Sequence, residues 1–521
     1  MATADTGPRF NPWVIALTVT MATFMEVLDS TIANVALNHI GGSLAASQDE
    51  STWVLTSYLV SNAIALPLAG WLSTLIGRKR FYMTCVALFT LSSMLCGMAT
   101  SLSQLIFFRM LQGIGGGGLQ PSEQAILVDT FPPRKRGMAM AVYAMAILIA
   151  PILGPTLGGW ITDNYSWRWI FYINVPVGCL SLFLSNIVVE DPPYLKAQRA
   201  ARRGKPLQID YIGLGLLALG LGALEVVFDK GQQEDWFGSR FIVVLTVLAI
   251  VSLSIAAVWE WLHPHPIVNL RLFKDRNFLC CGIVIFVTFG ALYGSTVLLP
   301  QMVQTLMGYS ATMSGMIMSP AGFFTILEMP IIGILLGRKV DARWLIMAGL
   351  FIAACASFWM STITLQVSPG QLMWPRIVQT LGTGLLFVPV NTAAYLYIPK
   401  DQTNNASSLF NLIRNEGSSI GVAVVTSLLQ RYAQFHQTWL AGHVTPLDPQ
   451  ATSLLQQMSG GDAANGMQSG LARLYGMVQR EAMTLSYLDM YRLSALGLLL
   501  AIPVVLLMRR SVAKDGEMAA H

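Results

Sequence analysis

The chain has 521 residues, 54% of them hydrophobic and only 11% charged, and carries a formal net charge of +5. A soluble domain holds about 25% charged residues, so this composition excludes a soluble globular protein and implies no nucleic-acid patch; it points to a polytopic membrane protein. All six cysteines fall within apolar runs, which leaves the redox compartment unread.

The first apolar run, 13–37, is too long for a signal-peptide core and lacks a small-residue cleavage site, so it is expected to be retained as the first span. It contains Glu26, Asp29 and Asn34. A carboxylate within such a run costs roughly 2.5–3.5 kcal/mol on insertion scales unless it faces a cavity or a partner. Glu26 precedes Asp29 by one helical turn, so both acids share a helical face. From the residues alone they are either a structural pair satisfied inside a bundle or groups that carry chemistry.

Continuing along the chain, apolar stretches at 52–76, 81–100, 102–128, 137–161, 169–189, 210–229, 240–262, 277–300, 312–336, 344–363, 371–396, 404–430 and 487–508 bring the expected spans to fourteen. An even number puts both termini on one side. Alternate loops on that side hold 22 of the 32 Lys and Arg residues, against 6 on the other, with Arg109, Arg376, Arg414 and Arg492 inside spans. The positive-inside rule makes both termini cytoplasmic.

The pattern repeats. Arg109-x-x-Gln112 returns as Arg376-x-x-Gln379, Thr23-Phe24 and Ser30-Thr31 return as Thr288-Phe289 and Ser295-Thr296, and Gly77-Arg78-Lys79 returns as Gly337-Arg338-Lys339. On this register Gly294 stands where Asp29 would map, so the acid belongs to one copy alone. The expected fold is all-α: a six-helix bundle over 1–189, a cytoplasmic linker with two inserted spans over 190–276, and a second six-helix bundle over 277–521. Paired repeats with a site at their interface are a transporter signature. The stretch 431–486 is the one long external loop, with too little apolar pattern to fold alone; it either extends the last two helices or meets a partner.

Gly113-Ile-Gly115-Gly-Gly-Gly118 fits a dinucleotide fingerprint but lies mid-span, where small residues let helices approach; that reading is rejected. Arg109 and Asp29, counted from the outer ends of their helices, lie at similar depths, roughly 10–12 Å down at about 1.5 Å per residue, and are placed either to pair or to communicate through one substituent. Pro151, Gly154, Pro155, Gly158 and Gly159 make the fifth span a candidate hinge, or a static kinked helix. Glu123 and Glu328, in opposite halves, are candidates to line a cavity, with Asn34, Gln112 and Arg376 as further polar lining. Arg414 and Glu416 read as a local structural arrangement. His263-Pro-His265 has no third ligand nearby and reads as a loop.

Leu28-Asp29-Ser30-Thr31-Ile32-Ala33-Asn34-Val35-Ala36-Leu37, Arg109-x-x-Gln112-Gly113, Gly154-Pro155-x-x-Gly158-Gly159 and Trp169-Ile-Phe171-Tyr-Ile-Asn174-Val-Pro176-Val-Gly178 together closely resemble the fourteen-helix drug:proton antiporters of the major facilitator superfamily, in the EmrB-like branch. The resemblance implies proton-driven export by alternating access, with Asp29 as proton carrier, Arg109 as its coupling partner and the 154–159 stretch as the antiporter motif. It implies a bacterial inner-membrane location, no cofactor beyond the proton gradient and, in Gram-negative relatives, a periplasmic membrane-fusion adaptor and an outer-membrane channel. Glu26 and Glu328 match no family motif, and their roles rest on chemistry alone. At Gly70-x-x-x-Thr74-Leu75-x-Gly77-Arg78-Lys79 the chain carries Thr-Leu where the superfamily usually carries Asp-Arg, which removes the acid expected to lock that gate loop.

The leading expectation is therefore an exporter of diverse drugs or toxic amphiphiles. An exporter of one metabolite class, such as a fatty acid, siderophore or aromatic acid, is the alternative. A membrane-embedded enzyme needs a nucleophile with a base, or a metal cluster, and no such constellation is present in the sequence.

Overall fold

The computed structural model describes residues 10–202, 210–264, 266–337, 340–444, 449–458 and 466–510. Among them the regular elements are helical throughout. The first set is α1 (Pro12–Ser43), α2 (Gln48–Ile76), α3 (Arg78–Met98), α4 (Leu102–Gly116), α5 (Leu119–Thr130), α6 (Pro133–Asn164), α7 (Trp169–Tyr172) and α8 (Asn174–Val188). A short α9 (Pro193–Arg202) precedes the hairpin α10 (Tyr211–Lys230) and α11 (Arg240–Leu262). The remaining helices are α12 (Arg276–Thr305), α13 (Ala311–Gly337), α14 (Ala342–Met360), α15 (Pro369–Ala394), α16 (Thr403–His443), α17 (Pro449–Met458) and α18 (Gly466–Leu506).

Each of the fourteen expected spans is helical, yet the count of fourteen is not reached on length and apolar character. Among the described residues eleven helices qualify, and the bent α6 makes a twelfth. Two physical causes account for the remainder. The fourth stretch is broken at Gly117 and Gly118 into α4 and α5. The thirteenth lies in α16, whose first half carries Asn404, Asn405, Ser407, Ser408, Asn411, Arg414, Asn415 and Glu416. Both stretches place their polar groups inside the protein: Gln124, Asn404, Asn411 and Arg414 are all buried.

Local chemistry sets the boundaries. Ser47 and Glu50 form a reciprocal capping box at the start of α2. Gly77, at φ +97°, ends α2 and opens α3 in a left-handed conformation that favours glycine. The glycine run of α4 wedges it between two neighbours: a Cβ on Gly115 would lie 2.7 Å from the Phe89 nitrogen of α3, and one on Gly117 would lie 2.7 Å from the Asn62 oxygen of α2.

Helices α1 to α8 pack on one another, and α12 to α16 pack together with α18. The two sets meet along α6 with α13 and α15, and along α16 with α2 and α5. At the end of the bundle where α1 begins, Arg78 Nε donates to Asn404 Oδ1 (2.8 Å), Tyr395 Oη to Gln124 Oε1 (2.7 Å), and Leu336 packs on Gly137. The hairpin α10–α11 lies outside both sets, with α10 against α2 and α16. The stretch 431–486 extends its neighbours: α16 continues to His443, α18 begins at Gly466, and α17 packs on α18.

Candidate functional site

Asp29 is 1% exposed and Arg109 is fully buried, and Arg109 Nη1 approaches Asp29 Oδ2 to 2.6 Å. The pair is enclosed on every side. Arg109 Nη1 also donates to Gln112 Oε1 (2.7 Å) and Nε to the Val54 carbonyl (3.2 Å), while Asn174 Nδ2 donates to Asp29 Oδ1 (2.6 Å) and to Ser93 Oγ (3.0 Å). The guanidinium lies 4.3 Å from the Tyr58 ring centroid and 5.7 Å from that of Phe171. Six helices thus converge: α1 supplies the acid, α4 the arginine and its glutamine, α8 the asparagine, α3 the serine beside it, α2 a ring and a carbonyl, and α7 a second ring. An ion pair this dry is held by geometry, because removing either partner strands a charge.

Glu26 sits one turn below Asp29 in a separate set of contacts. Its carboxylate accepts from Tyr58 Oη (2.9 Å) and Gln120 Nε2 (2.5 Å). Tyr58 therefore touches both acids' surroundings, bonding Glu26 through its hydroxyl and covering Arg109 with its ring. From Gln120 the network crosses between the two helix sets. Arg414 donates to Gln120 Oε1 and, at 2.8 Å, to Tyr143 Oη; Tyr143 Oη donates to Asn411 Oδ1 (3.2 Å); Asn411 Nδ2 donates to Gln124 Oε1 (2.7 Å); and Gln124 Nε2 donates to Asn391 Oδ1 (3.0 Å). Glu123 is buried beside it, one oxygen accepting from Thr20 (2.5 Å) and the other without a hydrogen-bond partner.

This corrects the reading of Arg414 and Glu416 as a local structural arrangement. Residues two apart on a helix point to opposite sides; Arg414 reaches across to α5 and α6, and both Glu416 oxygens lack hydrogen-bond partners. Of the other polar candidates, Gln112 and Arg376 are buried with their polar ends turned to protein groups, Asn34 is exposed in the second half of α1, and Glu328 is part-buried on α13 beside Gly384.

Arg376 repeats the Arg109 geometry without the acid. It donates to Ser295 Oγ (3.1 Å), Thr296 Oγ1 (3.0 Å) and Gln379 Oε1 (2.8 Å), and Gln379 continues to Ser357 Oγ (3.0 Å). Ser295 and Thr296 meet the Arg376 guanidinium, and Gly294 does not. Gly294 instead faces α16, where an added Cβ would lie 3.1 Å from Val425.

The hinge candidates lie directly against this centre. Helix α6 bends by 46° between 135–151 and 156–164, and Pro151, Gly154, Gly158 and Gly159 lie at or beside the bend; the side chain of Pro155 falls outside the described residues. Gly154 packs on Thr31 and Gly158 on Ile32, so the bend touches α1 within a turn of Asp29.

At the gate loop the missing acid is replaced from another helix. Arg78 Nη1 pairs with Asp129 Oδ2 of α5 at 2.6 Å, and Tyr194 of α9 bonds both, at 2.8 and 2.7 Å. Burial, ahead of these charged neighbours, pushes the Tyr194 phenol above its ordinary range, so it stays protonated. Gly70 packs tightly on the Asn404–Asn405 backbone, and Lys79 Nζ donates to the Asn186 carbonyl (2.6 Å). The lock expected to be absent is present with a different acid. Its equivalent at Arg338 and Lys339 lies outside the described residues.

Asn174, Tyr58, Gln120 and Gln124 were not singled out as site residues from sequence. Only Asn174 had a signal, standing within a motif shared with the antiporters.

Residues 19–422 match the model of the Major Facilitator Superfamily. The chain is 38% identical over 448 residues to "Multidrug export protein EmrB" of Escherichia coli (strain K12), covering 86% of each chain. It is 36% identical to "Fatty acid resistance protein FarB" of Neisseria gonorrhoeae, covering 95% of each. Among solved structures, the proton:xylose symporter XylE shares the fold at a TM-score of 0.59 and 16% identity, covering 93% of this chain and 94% of that one.

Proposed function

The chain belongs to the major facilitator superfamily, in its EmrB-like group, and we propose that it is a proton-coupled antiporter exporting diverse drugs or toxic amphiphiles from the cytoplasm by alternating access. It is a transporter rather than an enzyme, and a multi-pass inner-membrane protein. The observation that carries the reading is the dry Asp29–Arg109 pair, 2.6 Å long and packed one turn from the α6 bend.

A proton arriving at Asp29 removes one charge of the pair. Arg109 then keeps Gln112, the Val54 carbonyl and the Tyr58 ring, while its hold on α1 weakens. Because α1 packs on α6 through Thr31 and Ile32, that change is felt at the Gly154–Gly158 bend. In this reading 1–189 and 277–521 are the two rocking bundles, 190–276 joins them, and both termini face the cytoplasm. The contacts at the α1-start end, Arg78 to Asn404 among them, then close the cytoplasmic side. Glu26, Glu123, Asn34 and Glu328 offer polar and acidic groups to a neutral or cationic cargo. Energy comes from the proton gradient without a cofactor, and the helical extension over 431–486 suits docking of a periplasmic adaptor that leads to an outer-membrane channel.

The similarity to a fatty acid resistance protein favours one second reading, export of fatty acids. Proteoliposomes loaded with a pH gradient and offered lipophilic cations or long-chain fatty acids test both. Gradient-dependent export of the cations supports the proposal; gradient-dependent export of fatty acids alone supports the second reading, and export unaffected by collapsing the gradient contradicts both.

A further inference from the structure

Helix α10 belongs to neither copy of the repeat, yet its Glu225 is only 4% exposed. Across the seam, Glu416 of α16 is 9% exposed, and both of its carboxylate oxygens are buried without a hydrogen-bond partner. The two acids are neighbours. Ser419, one turn beyond Glu416 on α16, donates to Glu225 Oε1 at 2.8 Å, which places Glu225 against the same stretch of α16. One turn before Glu225, Gly222 packs on Val60 and Ile64 of α2, which fixes the helix close to the bundle.

Among the described residues no cation pairs with either acid. Arg414, on the same helix as Glu416, directs its two terminal nitrogens to Tyr143 and Gln120. Lys230 donates to Thr52 and Gln233 and lies 5.1 Å from the Trp53 ring, and Asp229 accepts from Thr56. Helix α2 therefore presents hydroxyls and a ring here. On α11, Glu260 is engaged near Asp210 at the opposite end of the hairpin, and on α16 the His436–Asp489 contact lies about five turns beyond Glu416. Two adjacent buried carboxylates without a cation cannot both stay ionised, because desolvation and mutual repulsion act in the same direction.

We propose that Glu225 and Glu416 form a second proton-binding site, separate from Asp29, in which one proton is shared across the seam between α10 and α16. The proton supplies the hydrogen bond that Glu416 lacks, from whichever carboxyl carries it to the other acid's oxygen. Its release leaves two negative charges on two separate elements and drives α10 away from α16, so occupancy of the site biases how tightly the inserted hairpin holds the second bundle.

Infrared difference spectra of the full chain in lipid nanodiscs, recorded as the pH is raised, test this. The readout needs no transport, so it stands or falls separately from the proposed antiport. The expected result is a protonated-carboxyl carbonyl band in the wild type whose titration midpoint moves to lower pH in Glu416→Gln and in Glu225→Gln, because the remaining acid no longer faces a second carboxylate, and stays in place in Asp29→Asn. Ser419→Ala, which keeps both acids but removes a donor to ionised Glu225, is expected to move the band's titration midpoint to higher pH. An unchanged band in both Gln variants, each shown to be folded by its thermal unfolding, overturns the proposal. So does removal of the band at constant pH by sodium or tetraphenylphosphonium, which makes the pair a cation site.

Discussion

Arg109 and Arg376 occupy equivalent places in the two halves, both buried and both bonded to a glutamine one turn later, yet their electrostatic settings differ. Arg109 faces a carboxylate; Arg376 faces the hydroxyls of Ser295 and Thr296 and the Gln379 amide. The duplicated architecture therefore holds an arginine in each half, while only the first half offers its arginine a group that a proton can neutralise.

The comparison can be broken most severely at the arginines. Arg109→Ala leaves Asp29 buried and unpaired and is expected to cost about 3–5 kcal/mol, whereas Arg376→Ala strands neutral groups and is expected to cost about 1–3 kcal/mol; thermal unfolding of the two variants side by side measures the difference. Equal losses contradict the asymmetry. A sharper version makes the halves alike: in a Ser295→Asp background, removing Arg376 is expected to become as costly as removing Arg109, and a double-mutant cycle reads the coupling directly.

Smaller effects are expected further from the pair. Gly154→Val places a branched side chain against Thr31 and is expected to cost about 1–3 kcal/mol by overpacking, with slowed transport in proteoliposomes. Tyr194→Phe removes hydrogen bonds to Arg78 and Asp129 but leaves their ion pair, and is expected to cost about 0.5–1.5 kcal/mol in the same unfolding assay.

The helices and their order were legible because a bilayer demands long apolar runs, and Asp29 and Arg109 were legible because a charge in such a run needs a reason. The neutral partners were not. Tyr58, Gln120, Gln124 and Asn411 carry no comparable penalty, and their partners lie dozens to hundreds of residues away, so nothing local marks them. The repeat register sets Gly294 opposite Asp29, whereas the residues that meet Arg376 are Ser295 and Thr296, because sequence spacing does not record which way a side chain turns, and Gly294 turns toward α16. The Arg78 ion pair was missed for a related reason: its acid, Asp129, lies at the end of α5 rather than at the end of α2, where the motif usually carries one.

The measurement that bears most directly on the account is cargo-driven proton movement across proteoliposomes containing wild type, Asp29→Asn or Arg376→Gln. The account predicts that Asp29→Asn, folded and inserted, loses coupled proton movement entirely while Arg376→Gln retains it. Undiminished coupling in Asp29→Asn would contradict it.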